Sequence, residues 1–90
     1  MNKTELIDTT ANNAGMTKTD VQKTLEAMLD TITHAVRRGE KVALTGFGTF
    51  ELRERAARTG RNPQTGEQMR VPPSKAPAFK PGKAFKDAVN

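Results

Sequence analysis

Apolar positions in the first third of the chain recur at helical spacing. Leu6, Ile7, Ala11 and Ala14 share one helix face. Asn2 stands at the cap position, Glu5 is its capping-box partner, and Gly15 closes the helix. Thr17 opens a second helix with Asp20 at the third helical position, and Met16 and Val21 stand as a hydrophobic staple. Val21, Leu25, Met28, Leu29, Ile32, Ala35 and Val36 form one long stripe. Arg37 and Arg38 suit the negative end of the helix dipole, and Gly39 ends the helix. The spacing therefore predicts a helical hairpin. The period then changes to two. Lys41 to Thr45 alternates, Gly46-Phe47-Gly48 turns, and Thr49 to Leu52 resumes, with Phe50 and Leu52 on one side and Glu51, Arg53 and Arg55 on the other. Ala78-Phe79-Lys80 is expected to complete a three-stranded antiparallel sheet. Pro81-Gly82 then opens a short final helix with Ala84, Phe85, Ala88 and Val89 on one face and Lys83 and Lys86 on another.

The pattern fails between Leu52 and Met69, where the only apolar side chains are Ala56, Ala57 and the ring of Pro63. A segment with so little to bury cannot offset the entropy of ordering it against a core. Arg53, Arg55, Arg58 and Arg61 lead into Asn62-Pro63, Gly60 and Gly66 flank that turn, and Arg70 and Lys75 lie on the way back. The stretch reads as a two-stranded arm with a proline turn at its tip, continuing a sheet strand and projecting from the body. Pro72, Pro73 and Pro77 have no amide donor, so the returning strand is broken or open-edged there. With no internal repeat, the chain reads as one domain over residues 1–90. Residues 1–52 carry the helical hairpin and sheet start, 53–75 the arm, and 76–90 the last strand and C-terminal helix.

One thin layer of two helices over three strands cannot cover the apolar surface that this pattern supplies. Phe47, Phe50, Phe79 and Leu44 from the sheet, with Leu29 and Ile32 from the helix stripe, are therefore expected in the core of a homodimer. A two-fold axis would turn one arm into a pair.

Charge sharpens this picture. Residues 1–50 hold six basic and six acidic side chains, whereas residues 51–90 hold nine basic and four acidic, so the whole net charge of +5 sits in the arm and tail. Such asymmetry points to a polyanionic partner. Arginine suits phosphate through its planar fork of donors, and it suits a narrow groove of negative potential. Pro63 reads either as a plain turn former or as an apolar wedge that enters between base pairs. Paired strands sit about 4.8 Å apart, the undistorted minor groove is about 6 Å wide, and the major groove readily accepts a β-ribbon. The residues alone leave the groove open.

Several function classes fall away. Without cysteine there is no disulfide framework or thiolate metal site, and the single His34 faces away from the helix stripe with no partner triad. No metal site, catalytic residue, cofactor or small-molecule substrate is expected. No apolar run spans a bilayer and the N-terminus lacks signal-peptide character, which makes a cytoplasmic location the default and a membrane partner unexpected. Gly46 to Phe50 approaches an RNA-recognition signature, but Thr49 stands where an aromatic belongs. The four Phe sit at core-like positions and there is no Trp or Tyr, so no base-stacking platform remains for single strands.

At these residues the chain resembles the bacterial histone-like HU family, related to integration host factor. The likeness covers all ninety residues and is carried by G-F-G-T-F at Gly46 to Phe50, R-A-A-R-T-G-R-N-P-Q-T-G from Arg55 to Gly66, and P-A-F-K-P-G-K from Pro77 to Lys83. It implies an α+β fold: a helical hairpin, a three-stranded sheet with a protruding β-ribbon arm, and a short C-terminal helix, in an intertwined homodimer. It also implies arms that wrap the minor groove of double-stranded DNA with Pro63 intercalating. By position, Arg53, Arg55, Arg58, Arg61, Asn62, Pro63 and Gln64 match the arm and tip, and Arg70 and Lys75 match its return. Lys3, Lys80, Lys83 and Lys86 resemble flanking phosphate contacts. Pro72-Pro73 departs from the family pattern and stiffens the base of the returning strand. The function implied is a nucleoid protein that binds duplex DNA with little sequence preference and bends, wraps and compacts it. Sequence-specific site binding, a nucleic-acid enzyme and general adhesion to polyanions such as acidic lipid are the alternatives.

Overall fold

The computed structural model describes all ninety residues. In chain order it contains α1 (Lys3–Ala14), α2 (Lys18–Arg37), β1 (Val42–Leu44), β2 (Gly48–Arg55), β3 (Arg58–Arg61), β4 (Gln68–Val71), β5 (Ser74–Pro81) and α3 (Lys83–Val89). By its contacts the chain gathers into two compact units, Met1–His34 and Ala35–Asn90, so the last turn of α2, with buried Ala35 and Val36, belongs to the second.

In the first unit, Asn2 Oδ1 accepts from the Glu5 amide at 2.9 Å and Thr17 Oγ1 accepts from the Asp20 amide at 3.1 Å, so both expected caps form. Gly15 adopts φ 65°, the left-handed conformation that lets its amide reach back to the Ala11 carbonyl. Ile7, Ala11 and Val21 are buried together and Leu25 packs on them. The cluster is small: Leu6, Met16, Met28 and Leu29 each keep nearly half of their surface exposed.

In the second unit, β1, β2 and β5 form an antiparallel sheet in the order β1-β2-β5. Val42 lies opposite Phe50, Phe50 opposite Phe79, and Leu52 opposite Pro77. Directly opposed residues share a sheet face, so Val42, Leu44, Phe50, Leu52, Pro77 and Phe79 make one apolar face. Pro77 is tolerated because β5 is an edge strand. The pairing of β2 with β5 runs out to Arg55 opposite Ser74, further than the sequence pattern suggests. The ribbon proper is a separate two-stranded sheet, β3 with β4, and Ala56-Ala57 and Pro72-Pro73 interrupt the strands between the two sheets.

The aromatic rings knit this unit together. Phe47 stacks on Phe85 with centroids 4.6 Å apart, and Phe79 tilts against Phe50 at 4.9 Å and Phe47 at 5.4 Å. The Gly82 amide donates to the Phe47 carbonyl at 2.8 Å and anchors the start of α3 to the β1–β2 turn. Phe47 and Phe79 nevertheless stay 44% and 37% exposed, and no side chain in the chain is fully buried.

Gly48 is where the Phe79 ring crosses β2. A Cβ there would lie 2.6 Å from both the ring's Cε1 and the Lys80 carbonyl oxygen. Gly48→Ala is therefore expected to destabilise the fold by about 1–3 kcal/mol through overpacking, seen as a lower urea midpoint. An unchanged midpoint would show that the ring moves aside freely.

Candidate nucleic-acid interface

Strand alternation divides the cationic residues of the sheet between two faces. Arg53 and Arg55 lie opposite Ala76 and Ser74, and Lys80 lies opposite Thr49. These place Arg53, Arg55 and Lys80 on the polar face, together with Glu51. Lys75 lies opposite Glu54 on the other face and pairs with it at 3.8 Å. The sequence groups Lys75 with the arginines, whereas the register turns it away from Arg53 and Arg55.

Glu51 has a role that the sequence pattern does not reveal. It is the one buried charged residue, 8% exposed, and its carboxylate holds Lys80 Nζ at 3.2 Å and Lys41 Nζ at 3.9 Å. Alternation alone signals that Glu51 shares a face with Arg53. Only the pairing of Thr49 with Lys80 reveals the lysine that covers it.

The ribbon also has two faces. Arg58 pairs with Val71 and Gly60 with Met69 on one side, and Thr59 pairs with Arg70 and Arg61 with Gln68 on the other. The turn between the strands is fastened by backbone hydrogen bonds, from the Asn62 amide to the Glu67 carbonyl at 2.7 Å and from the Gly66 amide to the Asn62 carbonyl at 2.7 Å. Asn62 Oδ1 accepts from the Gln64 amide at 2.9 Å, the local bond by which Asn stabilises turns. That oxygen is thus engaged inside the turn, while Pro63 and Gln64 stand exposed at the tip. Gly66 takes φ 71°, which a side chain would strain.

Ion pairing divides the basic side chains into two sets. Lys3, Lys41, Lys75 and Lys80 each have a carboxylate partner, Lys3 pairing with Glu26 at 3.5 Å within the helical hairpin. Arg53, Arg55, Arg58, Arg61 and Arg70 have none, and neither do Lys83 and Lys86 on α3. Five guanidinium groups thus stand exposed and unneutralised along β2 and the ribbon. Elsewhere, no three His, Cys, Asp or Glu side chains converge as a metal-ligand set, and no helix is long and apolar enough to cross a membrane.

A family model described as bacterial DNA-binding protein matches residues 1–90. The chain belongs to the bacterial DNA-binding protein family. Among its relatives, the DNA-binding protein HU of Geobacillus stearothermophilus is 64% identical over 89 residues, covering 99% of each chain. DNA-binding protein HU 1 of Bacillus subtilis is 57% identical over 89 residues, covering 99% of this chain and 97% of that one. Among solved structures, an Anabaena HU–DNA cocrystal structure superposes with a TM-score of 0.88 at 52% identity, covering 99% of this chain and 97% of that chain. HU from Thermotoga maritima superposes with a TM-score of 0.71 at 41% identity over the full length of both. The α+β fold expected from the alternating pattern and the HU resemblance is thereby that of the family, and the unpaired arginines of this family member lie on its ribbon and the strand that leads to it.

Proposed function

We propose that this chain is a histone-like protein of the bacterial nucleoid that binds double-stranded DNA as a homodimer, with little sequence preference, and bends, wraps and compacts it. The observation that carries this reading is the row of unpaired arginines. A cation without a carboxylate partner is free to release DNA counterions, and its planar fork matches phosphate. Arg53, Arg55, Arg58, Arg61 and Arg70 grip the backbone along the arm. Asn62 and Gln64 shape and flank the tip, and Lys75 lies at its base. Lys80, Lys83 and Lys86, with Lys3 from the helical hairpin, contact flanking phosphates. Few of these groups read base edges in a fixed pattern, which fits weak sequence preference.

The minor groove is the one that the HU resemblance implies, and the exposed Pro63 at the tip fits it. A ribbon enters that groove only if the groove opens, and an exposed proline ring at its end opens it by wedging between base steps. The bend and the wedge are then one event.

Dimerisation rests on exposed apolar area. Phe47, Phe79 and Leu29 stand 44%, 37% and 46% exposed in the single chain, and in the dimer they join Phe50, Ile32 and Leu44 in the shared core. Pairing brings two arms to one duplex.

Three measurements test this reading. Sedimentation should give twice the 9.8 kDa chain mass, and a monomer would exclude the shared core. If the dimer neutralises about 6–10 phosphates, affinity for a short duplex should fall roughly 10³–10⁵-fold between about 50 and 200 mM salt, and a flat response would reject phosphate gripping. Pro63→Ala should reduce the bend, read by fluorescence transfer between duplex ends, more than it reduces affinity. An unchanged bend would remove the wedge.

A further inference from the structure

The ribbon carries an apolar shelf that charge does not explain. Gly60 lies opposite Met69, and Val71 shares their face one pair away. Met69 is 48% exposed, although it sits in the most polar part of the chain. Glycine inside a strand weakens it, and often marks a place where another backbone or a ligand approaches closely. Gly60 has no internal reason to be glycine. Its φ is not positive, and a Cβ added there meets nothing nearer than Val71 Cγ2 at 3.4 Å, an ordinary contact. The isolated chain has room for a side chain at this position.

We propose that Gly60, Met69 and Val71 form a DNA-contacting shelf that seats the deoxyribose edges of one wall of the groove. This deepens the duplex-binding reading above and rests on it. Two features select that occupant. The shelf is bordered by cations, Arg58 on its own face and Arg61 and Arg70 on the opposite one, so whatever it meets is flanked by negative charge. Through β3 it also follows on from β2, which carries Arg53 and Arg55. A sugar edge between two phosphates is apolar and flanked by anions in this way. The missing Cβ at position 60 lets the strand backbone approach the wall, and Met69, unbranched and polarisable, adapts to its relief. The arm then has two binding contributions of different character: a salt-dependent one from the arginines and a salt-independent one from the shelf.

The test compares Gly60→Ala, Met69→Gln, Met69→Leu and Arg61→Ala in the full-length chain binding a short duplex across a salt series, with thermal unfolding as a folding control. Gly60→Ala should unfold at or above the wild-type temperature, because the added methyl restricts the unfolded chain, yet bind about tenfold more weakly. Met69→Gln should also lose about tenfold, the size expected when an apolar side chain no longer leaves water, and Met69→Leu, which keeps the apolar surface, should lose clearly less. For the Gly60 and Met69 variants the slope of log affinity against log salt should match wild type. Arg61→Ala should instead flatten the slope by roughly one unit per contact. Wild-type binding by both Gly60→Ala and Met69→Gln, or a flattened slope in either, overturns the shelf and leaves the duplex-binding reading standing. A wild-type chain that fails to bind duplex overturns both.

Discussion

The register between β2 and β5 decides which way every charge near the arm faces. Strand side chains alternate, so a slip of one residue would exchange the two faces and place Arg53 and Arg55 beside the phenylalanines. The Phe79 ring prevents this by lying across Gly48, the position on β2 where no side chain stands in its way. Phe50 opposite Phe79 and the stack of Phe47 on Phe85 hold that ring from the other side. Aromatic packing on one face of the sheet therefore aims guanidinium groups on the other.

Charge on this chain is sorted as well as accumulated. A surface ion pair contributes little to stability, but it does change what a cation is free to do. The lysines at 3, 41, 75 and 80 are partly neutralised by carboxylates, while the arginines of β2 and the ribbon stand alone. Glu51 is the clearest case. Held by Lys41 and Lys80, it keeps a carboxylate buried on the polar face that it shares with Arg53. The anionic potential of a duplex would therefore act first on the unpaired arginines, so the distribution of pairs matters as much as the net charge of +5.

Much of this was legible in the residues. Caps at Asn2 and Thr17, the stops at Gly15 and Gly39, the change of period near Lys41 and the apolar gap after Leu52 each act locally, so local chemistry announces them. The features that were not legible depend on which strand meets which. Lys75 reads as one more cation of the arm until its position opposite Glu54 turns it to the other face. Glu51 reads only as an acid on the face of Arg53 until Lys80, far along the chain, pairs with it. The alternation already carries Arg53 and Arg55 into the strand, but only the pairing with Ser74 to Ala76 shows how far the sheet ladder extends before the ribbon begins.

The arm raises a question of order. A two-stranded ribbon alone in water is only marginally stable, and this one has almost no apolar side chains to bury. Three sources of order remain. The turn supplies its own hydrogen bonds around Asn62 and Gly66. Pro72 and Pro73 restrict the returning strand before folding begins, which lowers the entropy lost on ordering it. The β2–β5 ladder hands the two strands over side by side at Arg55 and Ser74. None of these anchors the arm to a core, and this keeps its arginines and the Met69 shelf available. A chain that buried those groups to gain stability would have nothing left to present to a duplex. The shortage of apolar residues between Leu52 and Met69 is therefore the condition under which the arm can bind.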